Sequence, residues 1–168
     1  AKSSKAEFIG DRQFRRILSD SKTIADEKVR RVVLCSGKVA YDLMEARDAA
    51  GLEDVSIIRI EQLFPFPGDP LALRLSRMTG LKDVVWCQEE PKNMGSWTFV
   101  EPYLAWVLEQ TGALVKRPRF VGRPASAATA TTPTAQRSRR KVDAPRPPVA
   151  CWSRRLAMRV SSVPSRGS

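Results

Sequence analysis

Three short segments carry residue types that could do chemistry, and each follows an apolar run. Ser36-Gly37-Lys38 offers a hydroxyl, a turn glycine and a cation where a helix begins. Backbone N–H groups at a helix start, with a nearby ammonium, make a phosphate cradle. The segment lacks the longer glycine pattern of a P-loop or dinucleotide fingerprint, so a plain tight turn competes with that use. Gln88-Glu89-Glu90-Pro91 places two adjacent carboxylates at a strand end. Paired acids can divide acid and base roles, but neighbours on an extended chain point in opposite directions. A loop or interface role for Glu89 and Glu90 is therefore expected over catalysis. Arg119 and Arg123 flank a last apolar pair, with Lys116 and Arg117 before them. Arginines can clamp phosphate bidentately; the alternative is solvated edge charge. Ser36, Lys38, Gln88, Arg119 and Arg123 thus form the candidate anion site. The chain has no histidine, which removes the commonest general base and metal ligand together. No catalytic and no metal-ligating residue is assigned.

The elements that would position these residues alternate. Arg31–Cys35 is short, apolar and β-branched, as a central parallel strand should be. Val39–Ala50 has helical spacing, with Val39, Leu43, Ala46 and Ala50 on one face and Gly51 as its stop. Val55–Ile60 is a second strand. A rigid Phe64-Pro65-Phe66-Pro67-Gly68 loop leads to a helix capped by Asp69, with Pro70 at its first position and Gly80 past its end. Val84–Gln88 is a third strand and Glu89–Ser96 a loop. Trp97–Gln110 is a helix stopped by Gly112, with Pro102 in its first turn or kinking it. Phe120–Val121 is a fourth strand. Strand and helix alternating in this way predict an α/β domain, a small doubly wound parallel sheet with ligands at the carboxyl ends of its strands.

Phe99, Tyr103 and Trp106 fall at i, i+4 and i+7, on one helix face. Core packing is the expectation for that stripe, with a dimer contact as the alternative. Cys35 and Cys87 end apolar runs and are expected as buried thiols; Cys151 completes the three cysteines, and no metal-like spacing joins them.

Charge divides the chain. Residues 1–131 carry 20 Lys and Arg against 17 Asp and Glu, whereas residues 132–168 carry 9 against Asp143 alone. The net charge of +11 is mostly a property of the tail. Residues 1–28 are polar and are expected to link to an upstream domain, with one helical turn near Phe14–Leu18. Residues 29–131 form the α/β domain. The tail, rich in Arg, Pro and Ser, cannot bury a core and is expected to be disordered. Pro145, Pro147 and Pro148 exclude an amphipathic helix across its middle, and its one aromatic, Trp152, gives no stacking ladder for nucleic acid. No run approaches the roughly 20 apolar residues of a membrane span, and the start has no signal-peptide core.

Four segments in order, LCSGKVAYDL (34–43), IIRIEQLFPFP (57–67), VVWCQEEPKNMGSW (84–97) and RFVGRPASAATAT (119–131), resemble the C-terminal domain of the thiamine-diphosphate-dependent first component of the 2-oxoglutarate dehydrogenase complex. The alphaproteobacterial-type enzymes are nearest in character. The resemblance implies a transketolase C-terminal-like fold. It implies that thiamine diphosphate and Mg2+ lie between upstream domains, where 2-oxoglutarate is decarboxylated and succinyl passes to a lipoyl group. None of that chemistry falls on this segment, so no cofactor is expected on this chain alone. The implied partners are the rest of the polypeptide, a homodimer partner and the dihydrolipoyl succinyltransferase component, in a bacterial cytoplasm. In some members the domain carries an allosteric nucleotide or acyl-coenzyme A site, which is where the five candidate residues would act. After Thr131 the family pattern stops and an Arg/Pro/Ser/Ala composition begins, as a GC-rich gene read out of frame would give. A free-standing nucleotide-binding module with a nucleic-acid-binding tail is the alternative.

Overall fold

The computed structural model describes residues 14–127. The expectations for the tail beyond Thr131 lie outside those residues. Five strands and three α-helices alternate: β1 (Ile17–Leu18), β2 (Arg31–Cys35), α1 (Val39–Ala49), β3 (Val55–Ile60), α2 (Gly68–Ser76), β4 (Asp83–Pro91), α3 (Trp97–Gln110) and β5 (Arg119–Arg123). The sheet order is β1-β3-β2-β4-β5. β2, β3, β4 and β5 run parallel, in the register Val33 opposite Ile57 and Val85, and Cys87 opposite Val121.

The period-2 alternation of β2 explains why the sheet is covered twice. Val32 and Leu34 point into a core with Leu71 and Leu75 of α2 and Val100, Leu104, Val107 and Leu108 of α3. Val33 and Cys35 point into a second core with Val39, Ala40 and Leu43 of α1, joined by Ile57, Val85, Cys87 and Val121. All five residues of β2 are buried, as a strand between two helical layers requires. This is the doubly wound α/β fold that the alternation predicts.

Four local expectations change. The turn of helix expected near Phe14–Leu18 is instead strand β1, antiparallel to β3, with Ile17 opposite Ile60. Two residues carry no readable period; the unpaired edge of β3 decides their conformation. In α1 the fourth position of the inward face is Arg47, not Ala50, which is exposed. Helix α2 begins at Gly68, so Pro70 is its third residue and Asp69 forms no side-chain cap. The N–H groups of a first turn have no helical partner anyway, so proline is tolerated there. That helix ends at Ser76, and a turn carries the chain on to Gly80. β4 runs past Gln88 to Pro91, with a register shift between Cys87 and Pro91 where a loop was expected. Helix α3 has its expected bounds; Pro102 is its sixth residue, beyond its first turn, and is exposed.

Candidate functional site

The topological switch point lies between β2 and β4, the neighbouring strands whose outgoing connections run to opposite sides of the sheet. At its carboxyl end, Gly37 takes a left-handed φ of 69° and turns the chain from β2 into α1. Ser36 is half-buried there and Lys38 is exposed. The Lys38 ammonium is already ion-paired. It donates to Glu89 Oε1 at 3.0 Å across the switch point and lies 3.6 Å from Asp42 Oδ2, one turn along α1. The Glu89 hydrogen bond, and then the charges of Glu89 and Asp42, hold the lysine above its usual range.

The five candidate residues do not converge. Arg123 ends β5 opposite Pro91, at the same carboxyl edge as Ser36 and Lys38. Arg119 begins β5 opposite Val85. Four residues of extended chain separate the two arginines by roughly 13 Å along β5. Arg119 instead forms a bidentate pair with Asp83, its Nε donating to Oδ1 at 2.9 Å and its Nη2 to Oδ2. That carboxylate also meets Arg31 Nε at 2.8 Å, so one acid binds together the amino ends of three strands. Asp83 hydrogen bonding raises the Arg119 guanidinium above its ordinary value.

Gln88 is 5% exposed and wholly occupied by structure. Its Oε1 accepts from Trp86 Nε1 and from the backbone N–H of Trp97, while its Nε2 donates to the carbonyls of Pro91 (3.1 Å) and Met94 (2.6 Å). A polar residue at the end of an apolar strand is a signal for buried polar bonding, and the ligand expectation passed over it. Glu89 and Glu90 are both exposed.

A second surface was misread as core. Phe99, Tyr103 and Trp106 do share a face of α3, but it points outward, at 38%, 38% and 46% exposure. The inward face carries Val100, Leu104, Val107 and Leu108. Both faces of α3 are apolar, so the spacing names two stripes without saying which one is buried. Phe66 stacks on Tyr103 with centroids 5.1 Å apart, and Phe99 leans on Tyr103 at 5.2 Å. A groove of about 520 Å³ lies among Phe66, Gly68, Asp69, Pro102, Tyr103 and Trp106.

Cys35 and Cys87 are buried and unpaired, as expected. Burial pushes the Cys35 thiol up to about 12 and raises Cys87 as well, so neither is a nucleophile at neutral pH.

Comparison with known proteins decides the family. A match to the 2-oxoglutarate dehydrogenase C-terminal family covers residues 2–143. The chain belongs to that family. It is 50% identical over 138 residues to the 2-oxoglutarate dehydrogenase E1 component of Brucella ovis, and equally to those of Brucella canis and Brucella melitensis. Each match takes in 77% of this chain but only 14% of the relative. The family thus agrees with the four quoted segments, and the fold places those segments on β2–α1, on β3 and the loop after it, on β4 and the loop to α3, and on β5. Among the described residues, no group of three His, Cys, Asp or Glu side chains could hold a metal ion. No helix among them is long and apolar enough to cross a membrane.

Proposed function

We propose that this chain is the C-terminal domain of a 2-oxoglutarate dehydrogenase E1 component and serves it as a bracing and assembly domain rather than as a seat of catalysis. The observation that carries the proposal is the 50% identity over 138 residues to E1 components of which the chain spans 14%. In the whole protein, thiamine diphosphate with Mg2+ would supply the decarboxylation of 2-oxoglutarate, on domains upstream of this one. Succinyl would leave to the lipoyl group of the succinyltransferase component, in a bacterial cytoplasm. The site geometry is consistent with that division. The strand-end acids are exposed, the one switch-point lysine is ion-paired, and the two cysteines are buried with raised pKa.

The proposal is tested by assaying purified 1–168 for 2-oxoglutarate consumption with thiamine diphosphate, Mg2+ and the partner components. No turnover is expected, and measurable decarboxylation overturns it. Sequencing upstream of Ala1 tests the other half: the frame should continue into thiamine-binding domains. Reading the other two frames beyond Thr131 tests the proposal that the tail is out of frame.

A regulatory anion site is a second reading, favoured by the position of Lys38 and Arg123 at the carboxyl edge of the sheet. Ser36 and Lys38 would face the ligand together with Arg123. Gln88 and Arg119 drop out of that set, because the first holds the β4–α3 loop and the second is bonded at the far end of β5.

A further inference from the structure

We propose that the aromatic face built from Phe66, Tyr103 and Trp106, flanked by Phe99, is the seat of the upstream polypeptide of the same chain. This rests on the proposal that the chain is the last part of a longer E1 component.

The face is apolar and open. Tyr103 is 38% exposed and Trp106 46%, and both line a groove in which Asp69 is the one charged side chain. A contiguous patch of this kind marks an interaction surface rather than ordinary scattered exposure. It is also held in shape. Phe66 stacks on Tyr103, and Trp106 lies so close over Gly68 that a Cβ there would stand 2.8 Å from the indole Cζ3. Rings fixed before contact lose little freedom on burial, which is what a docking surface needs.

The entry path of the chain names the occupant. The Arg16 carbonyl accepts from the N–H groups of Glu61 (2.9 Å) and Gln62 (3.3 Å). β1 is antiparallel to β3, so Phe14 and Arg15, the described residues before Arg16, lie on the side of the sheet where β3 runs out toward Phe64 and Phe66. Phe14, two residues before Arg16, is itself 69% exposed. In each relative the greater part of the length lies beyond what this chain matches, and the matching family is a C-terminal one. The upstream mass therefore comes in next to the face that lacks cover. A second copy of the chain on this face is the competing occupant, and the test below separates the two.

The test is hydroxyl-radical footprinting, read by mass spectrometry, on the full-length product of the gene. Phe66, Tyr103 and Trp106 should be labelled at least tenfold less than Leu73 and Leu114, which are 60% and 90% exposed here, despite the higher intrinsic reactivity of aromatic rings. Protection should persist when the protein is diluted to monomer. Trp106→Glu in the full-length protein should restore labelling at Phe66 and Tyr103, and Phe66→Ala should do so at Trp106 if the first variant fails to fold. Rings labelled as freely as the leucines overturn this inference alone. Protection that vanishes on dissociation assigns the face to a second copy and overturns it too. A gene with no upstream frame overturns both this inference and the proposed function.

Discussion

The side-chain oxygen of Gln88 lies 3.0 Å from the backbone nitrogen of Trp97, the first residue of α3. The same oxygen takes the Trp86 indole N–H at 2.9 Å, so one amide joins the core of β4 to the start of the next helix. Between these points the chain runs through Gly95, whose φ of 68° leaves no room for a side chain: a Cβ would stand 2.9 Å from Gln88 Nε2.

Replacing Gln88 by Leu keeps the volume but leaves the Trp86 indole and the Trp97 N–H without an acceptor and the Met94 carbonyl without its donor. Each buried, unsatisfied group costs about 1–3 kcal/mol. The expected loss is about 3 kcal/mol in urea denaturation, with the β4–α3 loop becoming the earliest site of proteolysis. Gly95→Ala should act in the same direction.

Asp20 and Arg47 form an ion pair whose side chains are 5% and 2% exposed, and Asp20 Oδ2 also accepts from Ile57 N at 2.7 Å. Asp20→Ala takes the acceptor from Arg47 Nη1 and from the Ile57 N–H, while Asp48 still holds Arg47 Nε, and should cost about 3 kcal/mol. Pairing it with Arg47→Met should return much of that loss. A double-mutant cycle in chemical denaturation measures the coupling, and a value near zero would count against the pair.

The thiols supply a pH dependence. Cys35 has an ordinary value of 9.0 and a folded value of about 12. Between the two, the unfolded chain has released a proton that the folded chain still binds, so stability falls as pH rises. The Cys35 contribution is intact below 9.0 and is lost as pH climbs toward 12; Cys87, raised in the same direction, adds to the fall. Denaturation midpoints at pH 8, 9 and 10 should fall in that order, more steeply than for Cys35→Ala with Cys87→Ala. At pH 8, iodoacetamide should modify neither residue in the native protein and both in urea.

At the switch point, Glu89→Gln should release Lys38 from its closest carboxylate. If acyl-coenzyme A or a nucleotide binds at the strand end, Glu89→Gln tightens it and Lys38→Ala weakens it, while Arg119→Ala leaves it unchanged. Isothermal titration of the three variants decides the matter; a large loss with Arg119→Ala and none with Lys38→Ala would remove the site from this edge.

What was legible in the residues was whatever a period can carry. Arg31–Cys35 and Val55–Ile60 are apolar, β-branched and short, and their strands have the expected bounds. Trp97–Gln110, closed by Gly112, likewise emerged whole. Arg47 was not legible as an inward residue, because its burial depends on Asp20, 27 residues earlier, as well as on the adjacent Asp48. Arg119 looked like a ligand because its chemistry suits one; its bond to Asp83, 36 residues earlier, is a fact of sheet register. The outward direction of Tyr103 and Trp106 depends on which of two apolar stripes meets Leu71 and Leu75, and spacing along one helix does not hold that information.

β1 also determines how the domain is attached. The chain enters not through a swivel but as a strand sewn to the edge of the sheet, with Asp20 pinned beneath α1 three residues after the pairing at Ile17. A pull on the N-terminus would load these bonds in shear, in parallel, rather than peel them one at a time. The stretch from Ile17 to Asp20 should therefore turn with the sheet as one piece.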